Sequence, residues 1–259
     1  MIHKTAIIED GAIIDESAEI GAYAYIASKV KIGANTKIHH HATIEGKTTI
    51  GEGNEIFPYA SLGTAPQDLK YNGEDTELII GNNNKIREFT LINTGTIQVE
   101  GKTIIGDNNL FMGYVHVAHD CVIGNNCIFA NAATLAGHVH LDDGAVVGGM
   151  TPIHQFVHIG AMAMIAGASA VSQDVPPFCM VEGNRAKLRG LNLTGLRRHL
   201  KDRKDIDEIK QTYKELFESG KPLKENAKEI FENTDNVYVK KLVEFVMNSK
   251  RGIAYDRKM

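Results

Sequence analysis

Aliphatic residues return every six positions through most of this chain. They stand at Ile8, Ile14, Ile20, Ile26, Ile32, Ile38, Ile44, Ile50, Ile56 and Leu62, and again at Ile80, Ile86 and Ile92. From Ile105 the series runs through Phe111, Val117, Ile123, Phe129, Leu135, Leu141, Val147, Ile153, Ile159 and Ile165 to Val171. A period of six is neither the 3.6 of an amphipathic helix nor the 2 of a half-buried strand. It fits a three-sided coil in which each side is one short strand and each aliphatic side chain points into the prism. Residues 18 apart then stack at about the 4.8 Å strand spacing, and each coil buries its apolar row only against its neighbours. Gly often follows the inward residue (21, 33, 51, 63, 81, 106, 124, 148 and 160), where it is expected to supply the permissive backbone of a tight corner. The phase is lost through 63–77 and slips once across 97–103, so both stretches are expected to leave the coil as loops.

The pattern predicts a mainly β fold, a parallel β-helix over residues 1–184, with Pro176-Pro177 closing the repeat. Residues 185–259 read differently. Ile206, Ile209, Tyr213, Leu216 and Phe217 lie at helical spacing, ended by Ser219-Gly220. Pro222 opens a second stripe of Leu223, Ala227, Ile230 and Phe231, and Leu242, Phe245 and Val246 form a third. A small C-terminal α-helical domain is therefore expected. Charge divides at the same place. The chain has 28 Lys+Arg against 32 Asp+Glu, yet residues 185–259 hold 19 of the basic and only 12 of the acidic residues. A basic second domain beside an acidic first one predicts an acidic partner or ligand.

No apolar run approaches the roughly 20 residues of a membrane span. The N-terminus MIHKTAIIED has acids where a signal peptide would be apolar. Three cysteines without CxxC spacing predict a reducing compartment, so a cytoplasmic location and no membrane span are expected. Basic residues alone permit nucleic acid, but no groove-reading motif or interleaved aromatics accompany them, and no nucleic-acid partner is expected.

Two features point to chemistry. The interruption GTAPQDLKYNGEDTE (63–77) sets Gln67, Asp68, Lys70 and Tyr71 side by side, and long loops on rigid repeats usually carry function. The second feature is histidine. Stepping 18 from His119 reaches Gly137 beside His138, and another 18 reaches Gln155 beside His154, so these groups share one edge on consecutive coils. Two readings are open. An imidazole oriented by the adjacent Asp120 makes a general base near neutral pH. Alternatively, His116, His119 and His138 hold zinc with water completing a tetrahedron, as in a γ-carbonic-anhydrase-like hydratase. His39-His40-His41 is a separate outer run, expected to be solvated.

The blocks GTAPQDLKY, VHVAHDC (115–121), NAATLAGHV (131–139), GGMTPIHQF (148–156), QDVPPF (173–178) and GLNLTGLRRHL (190–200) together resemble the UDP-N-acetylglucosamine acyltransferase family. The likeness covers nearly the whole chain. It implies a left-handed β-helix of hexapeptide repeats, a helical C-terminal domain and a homotrimer with sites between subunits. The implied reaction opens lipid A biosynthesis. A 3-hydroxyacyl chain, delivered on the phosphopantetheine of acyl carrier protein, passes to the 3-position of UDP-N-acetylglucosamine or its 3-amino analogue, with no cofactor and no metal.

By the same resemblance His119 is the general base, Asp120 orients it, and Gly137 supplies the oxyanion donor. Gln67, His116, His138, His154 and Gln155 line the sugar and acyl sites, while Asp68 and Lys70 reach across the interface. Asn192 and Arg198 bind the nucleotide, and Gly167 is the acyl-chain ruler. Arg185, Arg189 and Lys201 belong to the basic run that meets acyl carrier protein. The chain has Asn93-Thr94 where the family commonly has His-Arg, and Thr194 where it commonly has Glu. These departures fall among the expected sugar and nucleotide contacts, so the acceptor is left as a 3-hydroxyl or a 3-amino group.

Overall fold

A computed structural model describes residues 1–255 of the 259. The last four, which belong to the basic C-terminal stretch, lie outside the described residues. Three sheets form the walls of a prism. The first has eight strands, from Ile7–Ile8 to Pro152–Ile153, and the second has eight, from Ile13–Ile14 to His158–Ile159. The third has ten, from Glu19–Ile20 through Met164–Ile165 to Cys179–Glu182 and Lys187–Leu191. Each strand pairs in parallel with its equivalent one coil away, as in Ile128↔Val146 and Phe129↔Val147. The fold is a left-handed parallel β-helix followed by helices.

The six-residue aliphatics are the core. From Ile20 onward they are buried in every coil, and Phe111 and Phe129, 18 residues apart, stack with centroids 4.7 Å apart. The residue four after each is buried too, and so it is small, as with Ala24, Ala42, Ala60 and Ala133. Where it is Asn, a polar ladder climbs the interior. The Asn84 amide N–H donates to Asn54 Oδ1 (2.9 Å), the Asn109 N–H to Asn84 Oδ1 (2.8 Å) and the Cys127 N–H to Asn109 Oδ1 (2.7 Å). Each buried side chain thereby satisfies a backbone donor of the next coil, as burial requires.

The corners differ from the sequence expectation in one respect. The left-handed residue is the third after the inward aliphatic, and the glycine directly after the inward residue has ordinary backbone angles except at Gly63 (φ +78°), where the chain leaves the wall. Asn35, Tyr59, Phe89, His138 and Phe156 all take φ near +60°. The glycines serve close approach instead. A Cβ on Gly21 would lie 2.6 Å from the His40 backbone N, and one on Gly33 would lie 2.7 Å from the Gly51 carbonyl carbon. Aromatic residues at left-handed corners cost about 1–2 kcal/mol each. Stacking of rings on successive coils offsets part of that, by about 0.5–1.5 kcal/mol per pair. Tyr59 lies on Phe89 (5.2 Å), Phe89 on Tyr114 (4.9 Å) and His138 on Phe156 (4.4 Å).

The coil carries on past Pro176-Pro177. Cys179–Glu182 still pairs in parallel with Met164–Ile165, and Lys187–Leu191 returns antiparallel to it on the same sheet. Helices follow as α1 (Leu193–His199), α2 (Arg203–Glu218), α3 (Leu223–Glu232) and α4 (Val237–Asn248). Ile206, Ile209, Leu216, Phe217, Ala227, Leu242 and Val246 of the expected stripes are buried. At the opposite end Ile2 pairs in parallel with Ile20, and Ile7 and Ile13 are exposed, as are Glu9, Asp10, Asp15 and Glu16. Among the described residues no helix is long and apolar enough to cross a membrane.

Candidate active site

Two stretches interrupt the walls, each displaced from the expected 63–77 and 97–103 because residues 63–64, 77 and 102–103 belong to strands. Strand Ser61–Thr64 runs into the loop 65–76, and residues 94–101 separate Leu91–Asn93 from Lys102–Ile105. Their roots are tied together. Asn93 Nδ2 donates to Thr64 Oγ1 (2.9 Å) and the Ala65 carbonyl (3.0 Å), and Thr76 Oγ1 donates to Thr94 Oγ1 (3.1 Å). Asn93 and Thr94 are thus buried stitching where sequence reasoning placed sugar contacts.

The second root also reaches the histidines. Thr96 donates its N–H to Asp120 Oδ1 (2.9 Å) and its hydroxyl to Asp120 Oδ2 (2.6 Å). Asp120 is buried at a left-handed corner, its own N–H donating to Thr103 Oγ1 (2.9 Å). Its Oδ2 in turn accepts from His119 Nδ1 at 2.8 Å. A carboxylate fixed by Thr96, on a backbone tied to Thr103, therefore holds the imidazole in the tautomer with the proton on Nδ1, leaving the Nε2 lone pair as a base. Thr96 and Thr103 were not singled out from sequence, although the phase slip at 97–103 marks where the chain departs to make this contact.

Gly137 sits under that ring. A Cβ there would lie 2.5 Å from His119 Cε1 and 2.7 Å from Nε2, so only glycine lets the imidazole occupy its place. The Gly137 N–H makes no hydrogen bond among the described residues, whereas the neighbouring His138 N–H donates to the His119 carbonyl (3.0 Å).

His119 opens onto a cavity of about 610 Å³ that also meets Gln67, His116, Gly137, His154, Gln155 and Arg185. Burial holds the His116 imidazole below its ordinary pKa, and His116 Nδ1 is buried without a partner. His154 Nδ1 is 3.1 Å from the Gln155 carbonyl. Arg185, expected on the carrier-protein face, lines this cavity too.

His138 lies round the corner. Its ring meets His119 edge-on at 5.0 Å and stacks on Phe156, with burial pushing its pKa down against the pull of Asp120. The loop lies close to the base of its own chain. The Lys70 N–H donates to the Asp68 carboxylate, and this holds Asp68 below the usual carboxylate range, with the nearby His119 and Lys70 adding to the effect. Gln98 Nε2 also donates to Asp68 (3.1 Å).

Asn192 and Arg198 are not brought to this cavity. Asn192 caps α1, accepting from the Gly195 N–H (2.9 Å) and donating to the Met162 carbonyl (3.0 Å), and Arg198 lies in the last turn of that helix. Arg189 pairs with Glu182 (3.7 Å), and Lys201 lines a separate basic hollow with Arg197 and Arg203. Gly167 is exposed, has no left-handed angle and would hold a Cβ at 3.4 Å from the Gly149 carbonyl oxygen, so the corner does not demand glycine there.

The zinc set does not assemble. Ligand atoms that converge around the base belong to His119, Asp120 and His138, without His116, and His119 Nδ1 is already engaged by Asp120. His39 contacts Glu55 (3.2 Å) and His41 stacks on Tyr59, remote from the cavity in sequence and coil.

Comparisons with known proteins agree with this geometry. A family model described as Udp N-acetylglucosamine O-acyltransferase, Domain 2, matches residues 174–254, and the bacterial transferase hexapeptide model matches 11–46 and 102–137. An acyl-[acyl-carrier-protein]–UDP-N-acetylglucosamine O-acyltransferase of Aliarcobacter butzleri is 65% identical over 257 residues, covering 99% of each chain. The Sulfurimonas denitrificans protein of the same name is 66% identical, covering 99% of this chain and 98% of its own. The solved UDP-N-acetylglucosamine acyltransferase from Campylobacter jejuni superposes with a TM-score of 0.96 at 50% identity, over 99% of this chain and all of that one. These matches favour acyl transfer over the hydratase reading.

Proposed function

Because the chain belongs to the UDP-N-acetylglucosamine O-acyltransferase family, we propose that its His119 site moves a 3-hydroxyacyl chain from acyl carrier protein to the 3-hydroxyl of UDP-N-acetylglucosamine. The chain is an acyltransferase. The observation that carries the mechanism is the Thr96–Asp120–His119 relay over Gly137. His119 Nε2 takes the proton of the sugar hydroxyl as its oxygen attacks the thioester carbonyl. Negative charge gathers on the former carbonyl oxygen, where the unengaged Gly137 N–H donates to it. Asp120 stabilises the imidazolium across 2.8 Å. Collapse expels the phosphopantetheine thiolate, which recovers the proton from His119 Nε2. No cofactor enters this route.

His116, His154, Gln155 and Gln67 line the sugar and acyl end of the cavity in this proposal, with His138 edge-on to the base and Asp68 and Lys70 contributed to the sugar nucleotide by the loop. Asn192 and Arg198 sit on α1 away from the cavity of their own chain, so they serve a neighbouring subunit of a homotrimer, Arg198 toward the nucleotide phosphates. Gly167, whose glycine the backbone does not require, leaves room for a long acyl chain. Arg185, Arg189 and Lys201 receive the acidic carrier protein. Mass spectrometry of products from UDP-N-acetylglucosamine, its 3-amino analogue and a mixture of acyl carrier protein thioesters tests the reaction. Acylation of the hydroxyl sugar is expected, falling at least about a hundredfold in His119→Ala. Exclusive use of the 3-amino sugar, or turnover in the variant above about a tenth of the original, overturns the proposal.

A further inference from the structure

A second histidine cluster lies on the second sheet, outside the machinery just described. His140 and His158 are register partners on adjacent coils. Both direct Nε2 at one oxygen, Asp142 Oδ1, from 3.2 Å and 2.9 Å. All three ligand atoms fall within 4.8 Å of one another. From these distances we infer that His140, Asp142 and His158 form a binding site for a borderline divalent cation, with Zn²⁺ the expected occupant.

Tetrahedral zinc with bonds of about 2.0–2.1 Å sets its ligand atoms about 3.3 Å apart. The two Nε2–Oδ1 separations come within about 0.4 Å of that figure, and the two Nε2 atoms lie within 4.8 Å of each other. Two imidazoles and one carboxylate suit zinc and its transition-metal neighbours, and suit calcium or magnesium poorly, since those prefer all-oxygen shells. As Nε2 takes the metal, each neutral ring keeps its proton on Nδ1. The fourth position is reached from a cavity of about 380 Å³ between the coil and α4, so water completes the shell.

The ligands are set from behind, as metal sites require. The His158 ring packs on Phe245 of α4 (4.6 Å), and the His158 backbone N–H donates to Asp174 Oδ1 (2.8 Å), whose Oδ2 accepts from Ser249 Oγ (2.7 Å). Lys241 and Lys250 also line the cavity, and Glu244 and Asp174 answer their charge. The cation would rivet two adjacent coils together beneath the last helix. Zinc at a hundredfold excess over its dissociation constant multiplies the folded-to-unfolded ratio about a hundredfold.

The test uses the full chain, stripped with a chelator and dialysed against micromolar Zn²⁺, with metal per chain read by atomic emission. One equivalent is expected in the unmodified protein and in His119→Ala. His140→Gln and His158→Gln should each weaken binding at least tenfold while keeping the far-UV circular dichroism of the parent. Co²⁺ in place of Zn²⁺ should give tetrahedral ligand-field bands that the same two variants lose. Binding below one-fifth of an equivalent, binding unchanged in both variants, or loss of the metal in His119→Ala instead would each overturn the assignment.

Discussion

The strictest demand at the base falls on Gly137, and replacing it with Ala removes no polar group. The added Cβ would sit 2.5 Å from His119 Cε1 and 2.7 Å from Nε2, where ordinary carbon contacts need about 3.5 Å. Backbone dihedrals offer no relief, because the His138 N–H and the Phe156 N–H (3.2 Å, to the Gly137 carbonyl) pin the corner on either side. The imidazole must therefore give way by about 1 Å. That opens the 2.8 Å contact to Asp120 and carries Nε2 off the line to its acceptor. A displacement of about 1 Å at a reacting group costs about 10²-fold. Gly137→Ala should accordingly lower kcat about a hundredfold, with the melting temperature moved by only a few degrees because the ring lies at the surface of the coil.

The matched control is Gly113→Ala, also two residues after an inward core residue, where a Cβ would come only to 3.3 Å from the movable Asn131 side chain and rate should be retained. Steady-state turnover, read together with a thermal melt, decides the matter. If Gly137→Ala works within threefold of the parent, the ring is not held where the structure places it and the steric argument is wrong.

Thr96→Val removes the hydroxyl that donates to Asp120 Oδ2 but keeps the N–H to Oδ1, so kcat should fall about tenfold while KM for the sugar nucleotide stays within twofold. An unchanged kcat would show that Asp120 needs no such support. His116 is held below its ordinary pKa of 6.5 by burial, so below that pH the unfolded chain takes up a proton that the folded one resists and stability is lost. His116→Gln should flatten the decline in unfolding free energy between about pH 7 and pH 5, measured by urea titration, and a parallel decline would refute the assigned burial effect. Charge reversal of Arg189 and Lys201 together should raise KM for acyl carrier protein at least fivefold and leave that for the sugar nucleotide unchanged. Equal shifts in both would disconnect this patch from the carrier protein.

Much of this architecture could be read from spacing alone, because a period of six has one compact solution and its lapses mark where chain must leave the wall. The edge shared by His119, Gly137 and Gln155 followed from counting in eighteens, and the close fit of Gly137 under His119 bears that count out. Other features were not legible for physical reasons. A glycine after an inward residue looks the same in sequence whether it serves a backbone angle or the approach of the next coil, and the coordinates of Gly21 and Gly33 decide for approach. Asn54, Asn84 and Asn109 occupy slots otherwise kept for small residues, and their pairing spans coils interrupted by loops of different length. Thr96 acts across 24 residues through a root whose exit angle no periodicity encodes. Asn93 and Thr94 looked like substrate contacts because they replace charged family residues, yet they tie the two excursions to each other.

The walls of the first coil do not end alike. Ile2 pairs in parallel with Ile20 on the third wall, while the strands Ile7–Ile8 and Ile13–Ile14 form the edges of the other two, with Ile7 and Ile13 exposed. The Glu9 carboxylate turns up the column, accepting from the Tyr25 hydroxyl and from the Ser28 N–H (2.9 Å). One acid thereby clasps the end coil to the second, so the column can fray there only after that clasp has opened.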